Sequence, residues 1–364
     1  MGAIRNYISQ QPEVVRSTFY DVERQLAALD LPFKSGRQTY LVGSGTSRNA
    51  LLGVQRLLQG CLGAEVVVDG PLSFMSRTRD DTLAGVAGLF LSQSGSSATT
   101  IEAQAHALKR GMDAVAVTAE RDSRFANEAR TVVELPIGDE PVGPKTKGYT
   151  ASVAALLSLA NRVGQRATGP APSVDANFFT RYQTAFGKWM SVGDALAERF
   201  HRCRHMMFLA QGRHLATASE ASLKVQEMSG VGASVFDLEE GLHGRFHGLD
   251  KDSLAIFVVH DEGLVSLALN ASEVLEEVGV NSLIVSCGLT GANGRSDSEL
   301  VETGNTMHLT VSIPTTGLAE LDLLAAIVPF QSFAEHTAQR LHIIPEQMRY
   351  EGLSRKLGIK LGAP

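Results

Sequence analysis

The chain repeats itself. The segment TYLVGSGTSRNALLGVQRL (39–57) aligns with MMFLAQGRHLATASEASLK (206–224), which places Gly45 over Gly212, an offset of 167 residues. The same offset lays GLFLSQSGSSATTIEAQAHALKRG (88–111) over LAIFVVHDEGLVSLALNASEVLEEVG (254–279), with Phe90 over Phe257 and Leu108 over Leu275. One extra residue near Gly279 then brings AVAVT (114–118) over SLIVS (282–286). Any two strand–helix–strand units look alike, but an offset shared by separate blocks points to duplication. Two copies do not make a solenoid, so the expected architecture is two tandem α/β domains.

Short apolar runs set the strands of the first copy: Thr39–Val42, Glu65–Val68, Val86–Leu91, Asp113–Val117 and Thr131–Leu135. They alternate with apolar-periodic helices over Ala50–Leu58 and about Ala98–Arg110. Such alternation predicts a parallel sheet with helices on both faces, a flavodoxin-like three-layer αβα arrangement. Val14, Val15, Phe19, Val22 and Leu26 recur at helical steps, so residues 1–30 read as an exposed N-terminal helix. The first domain is expected over 31–165 and the second over 178–340. Between them RATGPAPSVDAN (166–177) reads as a linker, and 341–364 forms a C-terminal tail.

The residue make-up narrows the function classes. Apolar residues form 44% of the chain and charged residues 20%, ordinary for a globular protein. A formal charge of -6 argues against a broad nucleic-acid-binding surface. No apolar run reaches the ~20 residues of a membrane span, and the start of the chain lacks a signal-peptide core and a myristoylation pattern. Cys61, Cys203 and Cys287 are scattered without ligand spacing, so neither a disulfide scaffold nor a zinc site is expected, and a cytoplasmic location fits.

The run Ser92-Gln93-Ser94-Gly95-Ser96-Ser97-Ala98-Thr99-Thr100 lies between an apolar strand and an amphipathic helix. A helix N-terminus offers unpaired backbone N–H groups and the positive end of its dipole. Short hydroxyl side chains add donors, and Gly95 lets backbone come close, so the run can hold a phosphate without Lys or Arg. A Ser-rich helix cap with nothing bound would look the same. The loop Gly43-Ser44-Gly45-Thr46-Ser47 repeats the pattern after the first strand. Both would open at the carboxyl ends of strands, where open α/β sheets take ligands. Neither loop is a P-loop or a Rossmann fingerprint. In the second copy the corresponding positions, Gln211–His214 and His260–Gly263, have lost the hydroxyls.

Taken together these residues resemble the double sugar-isomerase (SIS) domain family over roughly residues 30–350. The resemblance rests on the loops Gly43–Ser47 and Ser92–Thr100 and on Thr146-Lys147-Gly148-Tyr149. It rests also on Glu220-Ala221-Ser222-Leu223-Lys224-Val225-Gln226-Glu227 and on Glu239-Glu240-Gly241-Leu242-His243-Gly244. It implies that Gly45, Thr46, Ser47, Ser92, Gln93, Ser94 and Ser97, with Lys147, hold a sugar phosphate. It implies that Glu227 moves a proton between C1 and C2 of the open-chain sugar, that Lys224 lies beside its hydroxyls, and that His243 opens the ring or acts as acid. In the family that histidine comes from a neighbouring subunit, so a homodimer with a shared site is implied. The spelling is closest to the phosphosugar isomerase and fructosamine-6-phosphate deglycase branch, related to the isomerase domain of glucosamine-6-phosphate synthase.

The residues support these roles on their own account. Glu220, Lys224 and Glu227 fall on one helix face, and Leu223 and Met228 look core-facing, which would desolvate a carboxylate and suit it to acid–base work. An exposed salt-bridged stripe is the plainer alternative. The expected activity is proton transfer at C1/C2 of a phosphorylated ketose or ketosamine, with no metal and no cofactor. A glucosamine-6-phosphate-type deaminase or aminotransferase isomerase, and a non-catalytic sugar-phosphate sensor, are the alternatives. No glutaminase part precedes the first domain in this sequence. In the tail, Arg355 or Lys356 could take the part of a lysine that enters the site in several relatives, and Arg245 and His247 have no assigned role.

Overall fold

The structure, a computed structural model, describes residues 2–166, 174, 177–288, 300–313, 318–350 and 352–361. Most of the proposed linker 166–177 therefore lies outside the described residues. The chain forms two compact units. One comprises Glu13–Pro141, Lys147–Ser173 and Tyr350–Pro364; the other comprises Met1–Pro12, Val142–Thr146 and Val174–Arg349.

The first of these holds a five-stranded parallel sheet: β1 (Thr39–Gly43), β2 (Val66–Asp69), β3 (Ala87–Leu91), β4 (Asp113–Thr118) and β5 (Thr131–Glu134), in the order β2-β1-β3-β4-β5. The strands are short and β-branched or aromatic, and β1 and β3 are buried along their whole length. That is what a sheet covered on both faces selects. Helices Thr46–Leu62, Ala98–Lys109 and Lys147–Arg166 flank it. One face buries Tyr40, Val42, Phe74, Phe90, Ile101 and Phe125, with the Phe74 ring edge-on to Tyr40 and Phe90 at 5.2 and 5.7 Å. Truncating Phe74, which is wholly buried, would cost about 3–5 kcal/mol. The strand order reverses between β1 and β3, which pair directly through Val42↔Phe90 and Gly43↔Leu91. In open α/β sheets ligands bind outside the carboxyl edge at such a junction.

The second unit holds β6 (His205–Ala210), β7 (Gly232–Asp237), β8 (Ser253–Val259), β9 (Asn281–Cys287), β10 (Leu300–Thr303) and β11 (Thr306–Val311). Their order is β10-β11-β9-β8-β6-β7. Read from its other edge this is β7-β6-β8-β9-β11, the order of the first sheet, with β10 added as an antiparallel strand. The offset holds in detail. Helix Thr46–Leu62 corresponds to His214–Ser229 and helix Ala98–Lys109 to Glu262–Glu277. Gly45 and Gly212 both take left-handed backbone, at φ +54° and +61°, a region that disfavours side chains.

The N-terminal stretch departs from expectation. It forms two helices, Ala3–Ser9 and Gln11–Ala28, rather than one. Pro12 lacks the N–H that a continuous helix would pair with the Ile8 carbonyl, so the helix stops at Gln10 and starts again. Nor is the apolar stripe exposed, for Val15, Phe19, Val22 and Leu26 are all buried. Ahead of the break, Arg5 donates to Asp194 Oδ1 at 2.6 Å and to Ser332 Oγ at 2.6 Å, which fixes the first helix within the second unit.

Candidate functional site

The two hydroxyl-rich loops lie where the switch in strand order puts them, after β1 and β3. Neither following helix is capped by a side chain, since Gly45 and Ser97 make no cap hydrogen bond. First-turn N–H groups have no partner within their own helix; here Ser47 N–H donates to the Ser44 carbonyl at 3.1 Å and Ala98 N–H to the Ile359 carbonyl at 3.1 Å. Ser47, Ser92 and Gln93 are buried. Ser94 Oγ lies 2.8 Å from Ser96 Oγ, and Thr100 Oγ1 donates to Ser97 Oγ at 2.9 Å. Gly95 turns the loop at φ +58°, and a Cβ there would overlap the Ser123 hydroxyl. The Gly95 N–H donates to the Ser92 carbonyl at 3.0 Å and closes the turn.

Lys147 opens helix Lys147–Arg166 and is buried. The helix start is held by a residue that motif reading missed. Glu140, also buried, accepts from the backbone N–H of Lys147 at 3.2 Å and of Gly148 at 3.1 Å. Its carboxylate meets the positive end of a helix dipole, a favourable placement for a negative charge. The only trace of it in sequence is the acidic pair Asp139-Glu140 shortly before Thr146-Lys147. Gly148 also has a visible task, because the Gln93 carboxamide occupies the space a Cβ would fill. Gln93 Nε2 is buried there without a hydrogen-bond partner.

The tail reaches the second loop. Ala98 N–H donates to the Ile359 carbonyl at 3.1 Å, Leu361 N–H donates to the Ser96 carbonyl at 2.9 Å, and Ser97 and Lys360 form an antiparallel bridge. Arg355 and Lys356 sit instead on the short helix Leu353–Lys356. The tail segment on the loop is thus Ile359–Leu361, a few residues beyond the basic pair that the sequence singles out.

In the other unit, Glu220, Lys224 and Glu227 come together on helix His214–Ser229. Glu220 and Lys224 are fully buried, and the Glu227 side chain keeps 19% of its exposure. Lys224 Nζ donates to Glu227 Oε2 and lies 3.3 Å from Glu220 Oε1. Burial alone would lower the Lys224 pKa, but the two carboxylates outweigh it and push the ammonium up to about 12. Of the two predicted core-facing residues, Met228 is buried and Leu223 only partly so. The stripe is therefore a triad rooted in the core with one carboxylate at its rim.

His243 is placed differently. It follows helix Leu238–Leu242 on an exposed turn, 72% exposed at its side chain, with Glu239 Oε1 at 3.9 Å. It makes no hydrogen bond or ion pair with Glu227 within the chain. Arg245 on the same turn donates to Glu240 at 3.1 Å and lies over the Phe236 ring at 4.7 Å. Among the described residues no group of three or more His, Cys, Asp or Glu side chains is placed to hold a metal ion, and no helix is long and apolar enough to cross a membrane.

Comparison with known proteins places this architecture. A family model described as SIS domain matches residues 33–162. The glutamine–fructose-6-phosphate aminotransferase (isomerizing) of Bradyrhizobium diazoefficiens is 27% identical over 347 residues, covering 91% of this chain and 55% of the relative. The chain spans about half the length of the curated relatives it matches. Among solved structures, the C-terminal domain of glucosamine-fructose-6-phosphate aminotransferase from Francisella tularensis superposes with a TM-score of 0.78 at 22% identity, covering 95% of this chain and 98% of that one. Glucosamine-6-phosphate deaminase from Thermotoga maritima gives 0.74 at 18% identity, covering 95% and 97%. At these identities the structural likeness establishes the fold.

Proposed function

We infer that this chain, a member of the SIS family through residues 33–162, binds a phosphorylated ketose or ketosamine and moves a proton between its C1 and C2 as a phosphosugar isomerase or fructosamine-6-phosphate deglycase. The observation that carries this reading is the pair of hydroxyl-lined helix starts, neither capped by a side chain, on either side of the β1–β3 junction. Backbone N–H groups and the hydroxyls of Thr46, Ser47, Ser92, Ser94 and Ser97 hold the phosphate, with Gly45 giving the backbone its turn. Gln93 stands behind them, its amide packed against Gly148. Binding energy gathered at the phosphate then positions the reacting carbons.

Glu227 is the acid–base group. Its carboxylate stands at the rim of the buried triad, partly exposed, while Lys224 holds it in one orientation. It takes the proton from one carbon of the open-chain sugar and returns it to the neighbouring carbon through an enediol or enolamine. Lys224, charged at neutral pH, stays a donor throughout and is the group beside the substrate hydroxyls. Lys147 lines the phosphate end. His243, on its exposed turn, opens the sugar ring, or protonates the amine that leaves as water adds to the C1 imine, in the site of a second copy.

Incubation with fructose 6-phosphate and with fructosamine 6-phosphates tests the reading. Aldose formation from the former marks an isomerase, and amine release from the latter a deglycase. Tight binding with no turnover on either would replace the enzyme with a sugar-phosphate sensor.

A further inference from the structure

The switch point of the six-stranded sheet carries charged groups that the proposed reaction does not use. By the offset of 167, Arg213 and His214 stand where Thr46 and Ser47 stand in the first copy, and His260 stands where Gln93 stands. The left-handed glycine before the pair is kept, as Gly212. The hydroxyls are gone, and a carboxylate has arrived. Asp322, at the start of helix Asp322–Ala326, is buried and accepts from Arg213 Nε at 3.0 and 3.1 Å and from Arg213 Nη2 at 2.6 Å. His214 Nε2 lies 3.2 Å from the same carboxylate, and His214 Nδ1 lies 3.2 Å from Thr217 Oγ1. The His260 ring stands 5.4 Å from that of His214. Gly288 faces the carboxylate so closely that a Cβ would crowd Asp322 Oδ2.

We propose that the second copy retains a small-oxyanion site at its switch point and that the chain fills it with its own carboxylate, Asp322. Two side chains at the positions read as phosphate holders in the first copy both point at an anion, and the anion is covalently part of the protein. A guanidinium and an imidazole replace the hydroxyls because an occupant that never leaves can be held by a permanent ion pair. The consequence is one external phosphate site per chain. The choice of positions rests on the phosphate reading of the first copy, but the test below uses no sugar.

The test is rescue of D322A by formate, which replaces the deleted carboxylate. In chloride, D322A should melt below the wild type. Formate at matched ionic strength should raise its melting temperature in a concentration-dependent way, while leaving the wild type unmoved. The double variant R213M/D322A should lose the response. A D322A protein that gains no more from formate than from chloride would overturn the proposal, as would an equal gain in the double variant. Should D322A fail to fold in chloride, its refolding yield from urea in formate against chloride gives the same reading by the same criterion.

Discussion

Glu227 stands at the rim of its triad, held by a buried lysine but itself partly exposed. Lys224 is held charged by two acids, one in the core and one at the rim, so the rim carboxylate is oriented from within and approachable from outside. Glu227→Gln is expected to keep sugar-phosphate binding and to lose turnover by roughly 10²–10⁴, the scale of general acid–base catalysis. Parallel calorimetry and rate assays measure both. Asp322 sets a pH response of another kind. Burial would raise its pKa, but His214 and Arg213 bring it down to about 2 from an ordinary 3.8. A depressed acid stabilises the fold above its unfolded pKa, so this contribution, about 2 kcal/mol, is complete above pH 4 and disappears as the pH falls towards 2. D322N should lack that component, giving a flatter acid limb in urea unfolding between pH 4 and 2. At the cradle, Gly95→Ala forces a side chain into left-handed backbone and against Ser123, at a cost of roughly 1–3 kcal/mol. A fall in melting temperature together with weaker phosphate binding is the expected result.

The elements of the fold explain what could be read in advance and what could not. Strands β1, β3 and β4 were legible because short apolar runs bounded by Gly/Ser turns have few other uses in a chain of this alternation. The side-by-side placement of the two hydroxyl-rich turns was legible because they fall after two strands that a doubly wound sheet pairs. Glu140 was not legible, because it stands beside Asp139 in a loop and only the N–H groups of Lys147 and Gly148 single it out. The tail register was not legible either. Arg355 and Lys356 carry the obvious charge, yet it is backbone at Ile359 and Leu361 that pairs with the loop, and backbone pairing leaves no mark on residue type. Removing residues 359–364 should therefore expose the Ala98 amide. Hydrogen exchange read by mass spectrometry over residues 96–98 should lose its protection while strand β3 keeps its own. Unchanged protection at Ala98 would mean that the tail does not seat there in solution.

At the scale of the molecule, one topology is used twice to different ends. Each sheet has the order that opens a crevice, and each has a left-handed glycine after its first strand. The first copy follows strands β1 and β3 with hydroxyl-bearing turns, while the second holds an internal ion pair at the matching positions and carries the Glu220–Lys224–Glu227 triad further along the same helix. A site shared between two copies of the chain would account for the exposure of His243. Mixing inactive E227Q with inactive H243A should then restore partial activity, and no recovery at any ratio would make each chain self-sufficient. The proposed function depends most on the two hydroxyl-lined loops gripping a phosphate ester, and isothermal titration with fructose 6-phosphate and with fructose tests it most directly. It predicts binding of the phosphate ester, no measurable binding of fructose, and loss of the former in the Ser94→Ala, Ser97→Ala double variant; equal affinity for both sugars, or a variant that binds like the wild type, would contradict it.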